Sequence, residues 1–358
     1  MIKFLHAADL HLDAPFSALS REHAVQRRQE QRAAVAALVQ ACNEAQCDLM
    51  LLAGDLLDSA AAYPETVACL VEQFAACRAE IFISPGNHDR FVPGCPYDAA
   101  VFSDNVHIFT KNQMEAVTLP SLGYTVWGAA FTAMDCPPLL AGFRAPADGL
   151  QLAVLHGEVR QGSSYNAISE ADIAASGLAY LALGHVHTTA GLLRAGHTAY
   201  AWSGCPMGRG FDETGEKGYL LGTVDESGVT ARFVPLPGRK YEWLTVEAGD
   251  DPAAAIEAAL PPETVRDIYR IDLTGEADPI DLPALETRFA PRFFGLSLRD
   301  KTLPRRELWA AQGEDTLRGR FLRALKARYD AAPDEAARRE IADAARYGLA
   351  AMEGRETI

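Results

Sequence analysis

The sequence predicts an α/β protein in which two packed β-sheets lie between outer helices, a four-layer α/β/β/α sandwich, followed by a smaller α+β domain and terminal helices. Three observations lead to this prediction. Short apolar runs alternate with longer helical stretches at the start of the chain, as in parallel sheets with helical crossovers. Runs with β alternation and glycine-rich turns follow. The composition then changes near Pro235 and Gly238, which places a domain boundary at about residue 243.

The first elements follow the order β-α-β-α-β. Residues 2–8, 49–53 and 80–84 are short apolar runs, typical of strands buried on both faces of a sheet. Residues 22–46 are rich in Ala, Gln and Arg with apolar positions at helical spacing. Residues 64–78 begin with a proline, which is favoured in a first helical turn. This order indicates a largely parallel sheet.

The first domain is expected over residues 1–243. In its later part the sequence predicts a hairpin around Gly123 and then a shift toward antiparallel pairing. The strands expected there are residues 116–120, 124–131, 151–155, 179–183, 198–203, 218–224 and 229–234. The small α+β domain is expected over residues 244–312 and a helical segment over 313–358, in which Asp334 is a candidate N-cap. The elements expected in the α+β domain are strands at 244–247, 268–274 and 294–299 and a helix at 252–260.

The bulk composition limits the class of protein. The chain has 358 residues, of which 49% are hydrophobic and 23% charged, and this length favours more than one core. Its apolar runs are shorter than the roughly 20 residues of a membrane helix, and the N-terminus lacks signal-peptide features. The seven cysteines form no CxxC pair, so we expect a cytoplasmic protein. The net charge of −15 argues against a broad nucleic-acid-coating face, although residues 288–346 carry an excess of Lys and Arg.

Residues with metal-binding side chains follow five of the predicted strands. Each occurrence alone has an ordinary explanation as a turn or core residue, but five such coincidences in one α/β region are not expected by chance. The carboxyl ends of parallel strands meet at one edge of a sheet, where α/β proteins bind their ligands. The residues concerned are Asp9, His11, Asp55, Asp58, Asn87, His88, His156, His185 and His187.

This mixture of carboxylate, imidazole and amide groups suits manganese, iron or zinc better than calcium or magnesium alone. The set exceeds the four ligands of a single zinc site, which implies two metals, and Asp55 is the best placed residue to bridge them. Two cations about 3.5–4 Å apart clamp a phosphoryl group and lower the pKa of a water between them. The sequence therefore predicts phosphoester hydrolysis by in-line attack of a metal-bridging hydroxide.

The ordered blocks DLH, GDLLD, GNHD, HGE and GHVH resemble those of the calcineurin-like metallophosphoesterase superfamily over roughly residues 1–235. Within it, HAADLHLDAPF and AYAWSGCPMGRGFDETGEKGY are similar to the DNA-repair exonucleases of the SbcD type, in particular the YhaO-like branch. The resemblance implies a nuclease that acts on DNA with two divalent metals, manganese first and iron or zinc as alternatives.

The resemblance also implies a role for each residue of the set. One metal is expected at Asp9, His11, Asp55 and His187. The other metal is expected at Asp55, Asn87, His156 and His185. His88 would assist the leaving group without binding a metal, and the carboxylate of Asp58 would orient it. Asp89, the last residue of the GNHD block, is expected to brace the turn and not to bind a metal.

The C-terminal part resembles, in outline, the capping domain that such nucleases place over the active site. Its basic residues either follow a nucleic-acid backbone or form a solvated surface balanced by acids. They are Arg288, Arg292, Arg299, Lys301, Arg305 and Arg306. The stripe Leu317, Phe321 and Leu325 is either domain core or a docking face for an SMC-like coiled-coil ATPase of the SbcC/YhaN kind, as the resemblance suggests.

The resemblance further suggests a homodimer. The short apolar runs predict that the protein does not associate with a membrane. Two other functions stay open at this point. One is a phosphoesterase that acts on a small nucleotide or another small phosphoester. The other is a non-catalytic scaffold for the ATPase.

Overall fold

The computed structural model describes residues 1–119 and 123–354 and divides into two compact units, Met1–Lys240 and Tyr241–Ile358. The division falls close to the expected position at residue 243. The small α+β domain and the terminal helices, which were expected as separate segments, both fall in the second unit. Pro120 of the expected hairpin and the last four residues of the chain lie outside the described residues.

Each predicted strand and helix of the first unit starts close to its predicted position, and four short elements that were not predicted also occur among the described residues. The strands are β1 (Ile2–Ala7), β2 (Leu49–Leu52), β3 (Glu80–Ile83), β4 (Val106–Ile108), β5 (Glu115–Leu119), β6 (Tyr124–Gly128), β7 (Leu150–His156), β8 (Tyr180–Gly184), β9 (Leu193–Ala195), β10 (Thr198–Trp202), β11 (Gly218–Asp225) and β12 (Gly228–Pro235). The helices are α1 (Arg21–Glu44), α2 (Pro64–Ala76), α3 (Pro96–Ala99) and α4 (Glu170–Ala175).

These strands form two six-stranded sheets within the described residues, in the orders β12-β11-β1-β2-β3-β4 and β5-β6-β7-β8-β10-β9. Strands β1 to β4 are parallel, as predicted; β11 pairs antiparallel with β1, and β12 pairs antiparallel with β11. The hairpin around Gly123 is confirmed as the β5–β6 pair. The expectation that β10 is antiparallel holds only for its pairing with β9, because β10 lies parallel to β8.

The two sheets pack face to face with helices on the outside, which confirms the four-layer α/β/β/α sandwich. Alternate residues of β2 serve the two sides of its sheet: Leu49 and Leu51 face the second sheet, whereas Met50 and Leu52 face α1 and α2. A strand with both faces covered has no polar side, which explains why LMLL is apolar throughout. The outer face of the second sheet packs on α4 and the loops around it, with Ile173 fully buried.

The second unit contains a parallel three-stranded sheet of β13 (Tyr241–Glu247), β14 (Ile268–Thr274) and β15 (Gly295–Asp300). Its helices are α5 (Pro252–Ala259), α6 (Leu282–Phe289), α7 (Leu317–Asp330) and α8 (Glu335–Met352), with 3₁₀ turns at Ala290–Arg292 and Arg306–Gly313. Asp334 caps α8 as predicted, because its carboxylate accepts the Ala337 N–H at 2.8 Å.

The apolar stripe of α7 divides between core and surface. Phe321 and Leu325 pack into the small core between α7 and α8, whereas Leu317 is 74% exposed. Among the described residues, no helix is long and apolar enough to cross a membrane.

Candidate metal centre

The strand-end residues predicted from the sequence come together at the carboxyl edge of the two sheets. Three overlapping groups of side chains have ligand atoms within 4.8 Å of one another. These groups are Asp9, His11 and His187; Asp9, Asp55 and His156; and His11, Asp58 and His88. Asn87 joins them through its Oδ1, which lies 3.1 Å from His156 Nε2. The His185 ring lies 5.2 Å from the His156 ring.

The backbone around these side chains is held in an uncommon conformation. Asp9, His11, Asp55 and His185 all have positive φ, from 44° at His11 to 89° at His185. Residues other than glycine adopt such angles at a cost of about 1–3 kcal/mol each, and they persist only where the surroundings fix them. Here the turns after β1 and β2 fix each other, since Asp9 N–H donates to the Gly54 carbonyl and His11 N–H to the Asp55 carbonyl.

Asp9 is a fully buried carboxylate between the two sheets. Both of its oxygens accept the backbone N–H of His185, at 3.0 and 3.1 Å, and Oδ1 lies 3.7 Å from His187 Nε2. Burial raises the pKa of Asp9 to about 7, against the opposing charges of His156 and His187. The site therefore disfavours a carboxylate charge at Asp9 unless additional positive charge is bound nearby.

Asp55 occupies the central position of the cluster. Its Oδ1 accepts the His88 N–H at 2.9 Å, and its Oδ2 lies 3.3 Å from His156 Nε2 and 3.7 Å from His11 Nε2. Burial acts to raise the pKa of Asp55, but the charges and hydrogen bonding of the neighbouring histidines outweigh it and hold the pKa below its usual range. One oxygen of Asp55 thus lies between histidines expected on different metals.

The His11 ring tests whether a metal fits this pocket. The ring is 1% exposed, and neither of its nitrogens has a hydrogen-bond partner among the described residues. Burial lowers the pKa of His11 to about 4, so the ring is neutral at pH 7 and has a lone pair to offer. A buried polar atom without a partner is costly, and a divalent cation would satisfy it.

His156 supports the same conclusion from the other side of the pocket. Its Nδ1 donates to the Ala53 carbonyl at 2.9 Å, which directs Nε2 toward the oxygens of Asn87 and Asp55. Burial acts to lower the pKa of His156, but the Asp55 charge raises it to about 9. His156 Nε2 and the oxygens of Asn87 and Asp55 therefore converge on a position that favours positive charge, as a bound cation requires.

Close packing of glycine backbone makes room for the cluster. A Cβ at Gly86 would lie 2.3 Å from Asp55 Oδ1, and one at Gly54 would lie 2.6 Å from His156 Nδ1. Gly54 also has φ +88°, which favours glycine on conformational grounds. The glycines of the sequence blocks therefore allow the carboxylate and imidazole groups to approach each other.

His88 and Asp58 are adjacent, but their contact differs from the expected one. His88 Nδ1 lies 2.9 Å from the main-chain carbonyl of Asp58 and not from its carboxylate. The carboxylate instead lies 3.2 Å from His11 Nδ1 and 3.4 Å from Arg209 Nη1. The expectation that the Asp58 carboxylate orients His88 is therefore corrected: the main chain after β2 turns its carbonyl toward His88.

Asp89 braces the turn that carries Asp55, a role that its place in the GNHD block predicted. Its two carboxylate oxygens accept four backbone N–H groups and the Tyr97 hydroxyl within 3.3 Å. The backbone donors belong to Asp55, Leu56, Leu57 and Gly86. Burial raises the pKa of Asp89, and the negative charge of Asp55 raises it further.

Two residues of the site, Arg209 and Glu213, escaped the sequence analysis. Glu213 is 3% exposed, and its Oε1 lies 2.6 Å from His187 Nδ1 and 2.8 Å from Arg209 Nη2. Burial opposes the charge on Glu213, but the hydrogen bonds from His187 and Arg209 outweigh it and lower its pKa. Both residues lie in the block AYAWSGCPMGRGFDETGEKGY, where no ligand spacing marks them.

This chain is similar to a known family and to known proteins. The family model described as calcineurin-like phosphoesterase matches residues 2–189, more than half of the chain. The uncharacterised metallophosphoesterase YhaO of Bacillus subtilis (strain 168) is 31% identical over 246 residues, which cover 65% of this chain and 60% of that protein. The solved structure of TT1561 of Thermus thermophilus matches 65% of this chain and 98% of its own, with 13% identity and a TM-score of 0.42.

The match to YhaO spans less than two thirds of that relative. The family assignment therefore rests on the match to the family model and on the geometry of the site. The calcineurin-like fold binds two divalent metals, and the clustered carboxylate and imidazole groups are the candidate ligands. On these grounds the chain belongs to the calcineurin-like phosphoesterase family.

Proposed function

We propose that this protein is a two-metal phosphodiesterase that hydrolyses DNA in the cytoplasm. In this proposal it is a homodimeric nuclease subunit that works with an SMC-like coiled-coil ATPase, and manganese is its metal, with iron or zinc as alternatives. The phosphoester chemistry rests on one observation, the convergence of buried Asp9 and Asp55 with His11, His156 and His187 in one pocket. The choice of DNA rests on the resemblance of the flanking sequence blocks.

Two divalent cations in this pocket would clamp a phosphoryl group and activate a water for in-line attack. The protein supplies the remaining steps. Asp55 would hold both cations through its carboxylate, and the backbone N–H of His88 keeps Oδ1 of that carboxylate in place. Because the Asp58 carbonyl can only accept, His88 Nδ1 carries the donated proton. In the doubly protonated imidazolium form, His88 carries a second proton on Nε2, which it would give to the leaving oxygen while Nδ1 keeps its proton.

The basic residues of the second unit give this proposal less support than their number suggests. Arg292, Lys301, Arg305 and Arg306 form ion pairs with Glu257, Asp272, Asp250 and Glu276. A guanidinium that is already paired gains less from a phosphate than a free one. This pairing and the net charge of −15 favour a second candidate function, hydrolysis of a small phosphoester such as a nucleotide.

The test compares substrates at equal manganese concentration. The purified chain is incubated with linear double-stranded, single-stranded and hairpin DNA, and in parallel with bis-p-nitrophenyl phosphate. Cleavage of both DNA and the small ester supports the proposal. Cleavage of the small ester without loss of DNA supports the second candidate. Inertness toward all substrates in a manganese-loaded sample refutes both and leaves the scaffold function.

The partner is tested separately from the chemistry. A candidate coiled-coil ATPase is mixed with the chain and the mixture is passed over a size-exclusion column with light scattering. Co-elution that is lost on Leu317→Asp supports docking through α7, because Leu317 is exposed in the stripe. Co-elution that survives this substitution places docking elsewhere. The same measurement on the isolated chain gives its mass and tests the homodimer.

A further inference from the structure

We propose that Asp58, Arg209 and Glu213 form a carboxylate clamp that holds the two histidines of one metal, His11 and His187, in their ligating orientation. The clamp is an arrangement of positioning residues that neither the sequence blocks nor the comparisons assign. The inference rests on the proposed two-metal centre and does not depend on DNA as the substrate.

Glu213 is the part of the clamp that faces His187. It lies on the loop between β10 and β11 and is almost fully buried. Its Oε1 lies 2.6 Å from His187 Nδ1, and an ionised carboxylate can only accept. His187 Nδ1 therefore carries the proton, and Nε2, which lies 3.7 Å from Asp9 Oδ1, directs its lone pair into the pocket. This arrangement matches the carboxylate–histidine–metal triads that fix a ligand's tautomer.

Asp58 lies beside His11 at ion-pair distance, without the hydrogen bond that joins Glu213 to His187. Its Oδ1 lies 3.2 Å from His11 Nδ1, on the side of the ring away from Asp55. The other ring nitrogen, Nε2, lies 3.7 Å from Asp55 Oδ2 in the centre of the cluster. Each of the two histidines thus has one nitrogen on the side of the metal pocket and the other within 3.2 Å of a carboxylate oxygen.

Arg209 connects the two carboxylates. Its Nη2 lies 2.8 Å from Glu213 Oε1 and its Nη1 lies 3.4 Å from Asp58 Oδ1, while its backbone N–H donates to Glu213 Oε2 at 2.7 Å. A planar guanidinium can hold two carboxylates at a fixed separation, which a lysine cannot do. Removal of Arg209 would leave Glu213 buried beside His187 without its countercharge.

The histidines expected on the other metal are held by different means. His156 Nδ1 donates to the Ala53 carbonyl, which belongs to the end of β2 and so to the scaffold itself. His185 Nε2 lies 3.9 Å from the carboxylate of Glu158, beyond hydrogen-bond distance. Loss of the clamp should therefore weaken one metal site and leave the other unchanged, an effect that general damage to the fold would not produce.

The test measures manganese binding to the full chain in the absence of any substrate. The protein is stripped with EDTA and titrated with Mn²⁺, and binding is followed by calorimetry and by the EPR signal of free Mn²⁺. The wild type is expected to bind two ions. Glu213→Gln and Arg209→Ala are each expected to weaken one site by about 10–100-fold and to leave the other within about twofold. Glu216→Gln is the matched control, since Glu216 is an exposed acid of the same loop.

Variants that lack a ligand of one metal show which of the two metal sites the clamp supports. Asn87→Ala removes a ligand of the other metal, so Glu213→Gln added to it should abolish most of the remaining binding. His11→Ala removes a ligand of the clamped metal, so Glu213→Gln added to it should change the remaining binding little. The reverse pattern, equal weakening of both sites, or no weakening would overturn the clamp.

A folding control and a conservative variant complete the design. Thermal unfolding of the metal-free variants shows whether they are folded. If Arg209→Ala is unfolded, Arg209→Lys replaces it in the binding measurements, because lysine keeps the charge but not the planar guanidinium. Arg209→Lys is then expected to weaken the same single site. A wild type that binds fewer than two ions would refute the proposed function. A wild type that binds two, with variants that do not discriminate between them, would refute the clamp alone.

Discussion

Gly86 is the position at which one added methyl group tests the geometry of the centre. A Cβ there would lie 2.3 Å from Asp55 Oδ1 and 2.9 Å from His156 Cε1. The φ of Gly86 lies outside the left-handed region, so alanine is acceptable to the backbone and the cost is steric. To restore an ordinary contact, the Asp55 oxygen, which accepts the His88 N–H, has to move by about 1 Å relative to Gly86.

The expected magnitudes follow from these distances. Overpacking of one methyl group costs about 1–3 kcal/mol of unfolding free energy, so Gly86→Ala should fold. A displacement of about 1 Å at a reacting centre costs about 100-fold in rate, and Asp55 is the residue expected to bridge the metals. We therefore expect kcat/KM on bis-p-nitrophenyl phosphate to fall by about 100-fold or more, with weaker manganese binding.

Gly94 provides the matched control for this substitution. It has φ +78°, and a methyl group added there would have no atom of the described residues within 4 Å, so Gly94→Ala is strained but meets no neighbour. It should cost about 1–2 kcal/mol in urea unfolding, similar to Gly86→Ala, without an effect on the metals. Gly86→Ala protein that keeps wild-type manganese affinity and activity would refute the tight placement of Asp55.

Three further predictions concern single side chains. His88→Ala should bind manganese as the wild type does but lose about 10²–10⁴-fold in kcat; loss of metal in calorimetry would contradict its role as a proton donor. Asp89→Asn should lower the unfolding free energy by about 2–4 kcal/mol in urea titration, because an amide cannot accept all the donors that Asp89 accepts; a change under 1 kcal/mol would contradict the bracing role. Burial lowers the pKa of His6 from 6.5 to about 3, so its contribution to stability is present above pH 6.5 and is lost as the pH falls toward 3. His6→Gln should reduce the slope of unfolding free energy against pH in that window by up to about 1.4 kcal/mol per pH unit, and an unchanged slope would show that His6 is not buried neutral.

Periodicity and strand ends were sufficient to predict the sandwich. Strands buried on both faces are apolar throughout, and the polar residue that ends each one lies at the edge where ligands bind. The short elements β4, β9, α3, α4 and α6 were missed, because three to eight residues are too few to display a clear period. The pairing of β10 with β8 also escaped prediction, since strand neighbours are set by the chain path and not by the strand's own residues.

The residues that position the ligands were less predictable than the ligands. Asp89 was identified because it follows Asn87 and His88 directly in the chain. Arg209 and Glu213 lie far from the other blocks in sequence and reach the site only through the loop after β10. A single arginine and a single glutamate carry no spacing that distinguishes them from surface residues. Side-chain geometry, and not pattern, identifies residues of this kind.

Several costs that the fold accepts meet in this one pocket. Asp9 is a buried carboxylate whose pKa is raised to about 7, and both nitrogens of the buried His11 ring have no hydrogen-bond partner among the described residues. Asp55 and His185 also hold their backbone at positive φ. The gathering of several such conflicts at one edge of the sheets indicates selection for function and not for stability. Bound cations would supply the charge that the carboxylates need and a partner for the imidazole, and metal binding and the stability of this edge are therefore coupled.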